Sequence, residues 1–250
     1  MRRFLLSVAA GLLLLAACGD DDEGRPDLIV AAASDLYTAL TEEQATFEEA
    51  TGARITFVFG SSGQMRHQIA AGADYDVFLS ADITFVEALA EDGDVLADTV
   101  TTYATGRIAL AWREGIPPLA GVEDLTREDI ARITIANPGH APYGRAAEEA
   151  LASAGVLQIV RPRMILGENV RQTTEYIRTG NADAGIVALP LVIHGSVRYI
   201  VIDASAHEPL IQGAAVVART DAEAAARRFL DFLAGDDGQA ILAGYGFDPP

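Results

Sequence analysis

Residues 28–36 read Leu28-Ile29-Val30-Ala31-Ala32-Ala33-Ser34-Asp35-Leu36, six apolar residues in a row and then a serine, an acid and the start of a helical pattern. An unbroken apolar run, without the alternation of a half-exposed strand, marks a strand buried on both faces. Ser34 is a good N-cap, and Asp35 falls in the first turn, where the helix dipole favours a carboxylate. A buried strand feeding straight into a helix is the unit of a parallel sheet. The unit recurs. Strand-like runs stand at 28–33, 54–59, 77–79, 106–112, 133–136, 184–187, 199–202 and 214–218, and helical patterns at 36–50, 63–71, 83–91, 143–154, 170–179 and 221–234. The expected class is α/β, with mostly parallel sheet flanked by helices.

Changes of texture after 106–112 and after 185–188 suggest two crossings between lobes. They divide the chain into a first lobe of 28–105 plus 191–250 and a second of 106–190, with a single-lobed sheet as the alternative. Two α/β lobes of this size place a ligand in the crevice between them. There is no internal repeat.

The amino terminus reads as an address. Met1-Arg2-Arg3, an apolar run from Phe4 to Leu15 and Ala16-Ala17-Cys18 form a charged region, a hydrophobic region and a small-residue cleavage site, so 1–17 is expected to be a signal peptide. The run is too short for a permanent span. Leu15-Ala16-Ala17-Cys18 resembles a bacterial lipobox, which makes Cys18 the acylated first residue of the mature chain, although a plain secretory signal with a chance cysteine would look alike. Residues 18–27, with Asp20-Asp21-Asp22-Glu23, have nothing to bury and suit a solvated tether. Cys18 is the one cysteine, so no disulfide is possible. A formal charge of -18, from which Arg2 and Arg3 are lost with the leader, argues against nucleic acid and against a broad anionic-lipid surface.

Enzyme signatures are missing. There is no phosphate-binding loop ending in Gly-Lys-Ser/Thr, and Gly60-Ser61-Ser62-Gly63 is not a nucleophile elbow. His67, His140, His194 and His207 lack metal-ligand spacing and read as ordinary surface or core histidines. Four helix starts placed after strand ends carry more. They are Ser34 with Asp35, Ser61 with Gln64 as a capping box, Pro142 at a first helical position, and Asn169 with Gln172 three residues on. Every helix needs a cap, so one such start means little. Several converging on a cleft would form an anion site without a cation.

The same segments resemble the molybdate-binding proteins of bacterial ABC importers, a family of two-lobed periplasmic binding proteins of type II fold. The resemblance spans the mature chain and rests on 31–36, 59–65, Gly72 to Asp82, 137–145, 167–172 and Thr179-Gly180-Asn181-Ala182. It implies an oxyanion held by neutral donors only. These are the hydroxyl and N–H of Ser34 and of Ser62 and the backbone N–H groups of Tyr143 and Val170, with the N–H of Asp35 as a further donor and its carboxylate turned away. Molybdenum would enter only as the bound oxyanion, and no cofactor is implied. One departure is Ala188, where many members carry a ligand-binding tyrosine. A subgroup lacks it and has tyrosine at the position of Tyr143, so either the Tyr143 side chain covers the ligand or one bond is lost.

The resemblance implies a lipid-anchored, exported, monomeric protein that binds molybdate and tungstate and serves an importer permease and its ATPase. The competing readings are a binding protein for another oxyanion such as sulfate, a transferase on the same fold, and a sensor lipoprotein.

Overall fold

The computed structural model describes residues 25–195 and 197–250. The expected leader, Cys18 and the greater part of the expected tether lie outside the described residues. Among the described residues no helix is long and apolar enough to cross a membrane.

The first lobe begins with β1 (Asp27–Ala33), which passes through a short 3₁₀ turn, Ser34–Leu36, into α1 (Tyr37–Glu42) and α2 (Gln44–Thr51). The single helix expected over 36–50 is bent at Glu43, and Leu36, Ala39, Leu40 and Phe47 keep one buried face across the bend. β2 (Arg54–Gly60), α3 (Ser62–Ala70), β3 (Val77–Ser80), α4 (Ile83–Glu91) and β4 (Thr101–Gly106) follow. The chain then enters the second lobe as β5 (Ile108–Trp112), β6 (Ile133–Ala136), α5 (Pro142–Ser153), α6 (Leu157–Val160), β7 (Met164–Gly167), α7 (Val170–Arg178), β8 (Ala184–Ala188) and β9 (Arg198–Val201). It returns as β10 (Leu210–Val216), α8 (Glu223–Ala234) and α9 (Asp236–Gly244).

Two five-stranded sheets result, ordered β2-β1-β3-β10-β4 and β7-β6-β8-β5-β9. In each, the first three strands are parallel and the fourth is reversed: β10 runs antiparallel to β3 and β4, and β5 to β8 and β9. The second crossing is not at 190–191 as the texture of the sequence suggested. Leu189–Leu191 packs against the first lobe, but β9 then pairs with β5, so the chain leaves the second sheet only between Val201 and Leu210. Two strands have no counterpart in the sequence reading, β4 and β7. Both are edge strands; β4 is rich in threonine and shows no unbroken apolar run, and β7 offers only the three apolar residues Met164 to Leu166 before Gly167.

β1 shows why the central strands read so clearly. Leu28, Val30 and Ala32 enter a core shared with Phe47 and Phe229 under α2 and α8, whereas Ala31 enters a second core with Met65, Ile69 and Phe78 under α3 and α4. Side chains alternate faces with period two, and both faces here are covered. Phe47 and Phe229 stack with centroids 5.3 Å apart, and each such buried aromatic contributes several kcal/mol, roughly 3–5 by the cost of its truncation.

Candidate functional site

The C-terminal ends of two adjacent strands in each lobe face one another across the cleft. In the first lobe, β1 and β2 end on the pair Ala33 and Gly60; in the second, β6 and β7 end on Ala136 and Gly167. The helix starts beyond these four ends close on one cavity, lined by Ser34, Asp35, Ser61, Ser62, Ala141, Tyr143 and Val170 among others. All five residues singled out in the sequence therefore meet at one place. The cavity is small, with an internal volume of about 10 Å³, far below the roughly 300–1,000 Å³ of pockets that take organic ligands. No lysine, arginine or histidine lines it.

The local geometry leaves donors free. Ser34 is the first residue of its turn rather than the cap, which is Ala33, and its hydroxyl bonds nothing among the described residues. Ser62 is the first residue of α3; Ala81 N–H donates to its Oγ at 2.9 Å, so the hydroxyl proton remains available to an anion. Tyr143 is the second residue of α5, behind Pro142, and Val170 the first of α7. The backbone N–H groups of Ser34, Ser62, Tyr143 and Val170 have no acceptor among the described residues. Helix starts carry partial positive charge and point their N–H groups outward, so four of them around a closed space make an anion-binding surface.

Two of the expected caps hold and two differ. Asn169 Oδ1 accepts from Gln172 N–H at 3.0 Å, and Pro142 opens α5. Ser34 is displaced from the cap by one position. Ser61 does occupy the N-cap of α3, but its hydroxyl does not close a capping box onto the backbone; it bonds Gln64 Oε1 at 3.1 Å and His140 Nδ1 at 2.7 Å. His140 belongs to the other lobe and draws the hydroxyl across the cleft.

Further contacts bridge the lobes in this closed arrangement. Gly63 N–H donates to the His140 carbonyl at 3.0 Å, Gln64 Nε2 donates to Glu168 at 3.1 Å, Arg145 pairs with Asp82, and the Arg171 guanidinium sits 3.5 Å from the centre of the Tyr37 ring. His140, read from the sequence as an ordinary histidine, is thus part of the closure, and nothing in its local sequence signals it.

Asp35 is wholly buried, and its Oδ2 accepts from Gln212 Nε2 at 2.6 Å while Oδ1 has no partner. Burial pushes this carboxyl up to about 6, a rise partly offset by hydrogen bonding from Gln212 and the neighbouring Tyr143 hydroxyl. The Tyr143 hydroxyl accepts from Gln212 at 3.1 Å. Burial drives the Tyr143 and Tyr103 phenols well above their ordinary range, so both stay protonated. Ala188 ends β8 fully buried and offers no side-chain donor. Among the described residues no three histidine, cysteine or acidic side chains are grouped to hold a metal ion.

Comparison with known proteins agrees with this architecture. Residues 28–248 match the family model described as bacterial extracellular solute-binding protein. The chain is 33% identical to the molybdate-binding protein ModA of Rhodobacter capsulatus, over 97% of this chain and 93% of that one. It is 29% identical to the putative ABC transporter substrate-binding lipoprotein YvgL of Bacillus subtilis, over 98% of each. The solved periplasmic molybdate-binding protein of Azotobacter vinelandii superimposes with a TM-score of 0.83 at 30% identity, covering 89% of this chain and 99% of that one. With a small donor-lined cavity between two lobes of matching topology, the chain belongs to the bacterial extracellular solute-binding proteins, in the family of the molybdate-binding protein ModA.

Proposed function

We propose that this chain captures a tetrahedral oxyanion, molybdate and with it tungstate, outside the cytoplasmic membrane and delivers it to an ABC importer. The observation that carries the reading is the cavity itself: four unpaired helix-start N–H groups and two serine hydroxyls around a space free of cationic side chains. Hydrogen bonds to a charged acceptor are about twice as strong as neutral ones, and five to seven of them would offset the desolvation of a dianion. The relatives named as molybdate-binding proteins supply the choice of anion.

The anion meets the first lobe at Ser34 and Ser62, and the second lobe then closes with Tyr143 and Val170, a hinge motion about the segments at 106–107 and 202–209. The formal charge of -18 opposes approach, but screening over about 8 Å at physiological salt leaves the decision to the local donors. The chain acts as a binding protein with no catalytic step and works as a monomer. Lipid on Cys18 keeps it close to the permease, raising the effective concentration there; the relative YvgL, named as a lipoprotein, supports that arrangement.

Calorimetric titration of the dialysed protein with molybdate, tungstate, sulfate and phosphate tests the reading, and molybdate and tungstate are expected to bind tightest. A specific observation favours a second outcome: Asp35 Oδ1 is buried without a partner and would accept the proton of a protonated oxyanion. Tight phosphate binding without molybdate heat would replace the first reading by that one.

A further inference from the structure

Four buried side chains meet where the chain first crosses between lobes. Gln212 in β10 donates through one amide nitrogen to Asp35 Oδ2 at 2.6 Å and to Tyr143 Oη at 3.1 Å, and its Oε1 accepts from Tyr103 Oη at 2.7 Å. Gln212 and Asp35 are fully buried, as is Tyr103. Three of the four belong to the first lobe; Tyr143 alone comes from the second. Two local features make the meeting possible. The β10–β4 ladder shifts register between Gln212 and Gly213, and Gly106 at the end of β4 lacks the Cβ that would collide with the Tyr143 hydroxyl and stand 2.8 Å from Gln212 Nε2.

We propose that Gln212 is a positioning residue for anion capture, the latch that holds Tyr143, and with it the anion-facing start of α5, against the first lobe. The proposal rests on the oxyanion reading above. Tyr143 faces two ways: its backbone N–H belongs to the cavity, and its hydroxyl plugs into the hinge. When the lobes part, Gln212 keeps Asp35 and Tyr103 but loses Tyr143. The latch bond therefore exists only in the closed form and acts on release of the anion more than on its encounter. It also answers what the Tyr143 side chain does in a chain with Ala188: the hydroxyl braces the closed form instead of reaching the ligand.

Gln212→Met keeps length and bulk without the amide, and Tyr143→Phe removes only the hydroxyl while keeping the backbone donor. Each is expected to raise the Kd for molybdate about tenfold, as loss of one buried hydrogen bond does. The double variant is expected to fall well short of the product of the singles, because both cut the Gln212–Tyr143 bond, while Tyr143→Phe alone also removes the hydroxyl beside Asp35. Small-angle scattering at saturating molybdate should show both singles less compact than the parent, while the melting temperature of anion-free Tyr143→Phe stays at the parent value. Parent-like affinity in either single, or effects that add to about a hundredfold in the double, would overturn the latch. A parent that binds none of molybdate, tungstate or sulfate sinks the oxyanion reading instead. The latch, which rests on that reading, then falls with it.

Discussion

The two lobes share strand order and direction but offer the cleft different chemistry. In each, donors stand beyond two neighbouring parallel strands, β1 and β2 in one and β6 and β7 in the other, and each strand pair ends on alanine beside glycine. The first lobe presents side chains, the hydroxyls of Ser34 and Ser62, along with its backbone. The second presents backbone alone, at Tyr143 and Val170, and fixes it by Pro142 and the Asn169 cap. Their cores differ as well. The first lobe has a separate core on each face of its sheet, while the core of the second reaches across the cleft to Ala33 and Ala81. On the proposed reading, the first lobe is a complete platform that an anion can meet, and the second is a lid whose donors come to bear only on closing. A change of side chain can disarm the platform, but the lid must be moved.

The largest effect should come from blocking the lid. A Cβ on Gly63 would lie 2.6 Å from the His140 carbonyl oxygen in the opposite lobe. Gly63→Ala is therefore expected to weaken molybdate binding by about a hundredfold or more, since closure carries half the donors. The melting temperature of the anion-free protein should stay close to that of the parent. Calorimetry and thermal unfolding separate the two; a closed, tight-binding variant would show that the lobes approach less closely than described.

Next is Asp35, at the base of the platform. Its carboxyl holds a proton up to about 6 in the folded protein, against 3.8 for the ordinary group. A folded-state value raised for an acid means that the folded form binds more protons than the unfolded chain between these limits. Stability is thus unaffected below 3.8, falls as pH rises toward 6, and by neutral pH is lower by up to about 3 kcal/mol. Asp35→Asn removes that loss while keeping an acceptor for Gln212, so its melting temperature should exceed the parent's at pH 7.5 and converge with it near pH 4. A constant difference across that range would place the carboxyl in water.

Single hydroxyls of the platform come third. Ser34→Ala and Ser62→Ala should each weaken the anion by about 1.5–3 kcal/mol, the value of a bond to a charged acceptor. Unchanged affinity in both would put the site elsewhere. The smallest effects belong to the rim. Gln64→Ala and Arg171→Ala remove a contact to Glu168 and one to the Tyr37 ring, both at least partly exposed, and each should cost only about 0.2–1 kcal/mol of closed-state stability, decreasing with salt for Arg171.

Much of this molecule is legible along the chain because the informative signals are local. Strands buried on both faces, at 28–33 and 77–79, are continuously apolar, and helices such as Ile83–Glu91 carry their own period, so class and element order follow from neighbouring residues. The donors follow for the same reason, since a helix start after a strand end is a feature of a few consecutive positions. β4 escaped because its threonines break the apolar run, β7 because three apolar residues, Met164 to Leu166, are too few to tell from a helical segment, and the second crossing escaped because β9 joins the second sheet through β5, some ninety residues earlier in the chain. Ser61 and His140, or Asp35, Gln212 and Tyr143, meet over 79, 177 and 69 positions, and no local propensity encodes such a meeting. What the sequence determined alone was which backbone groups would be left unpaired. Which of them face one another, and which side chains hold them there, was decided only when two separately wound sheets closed, because that choice is made by packing between residues that know nothing of each other until the fold is complete.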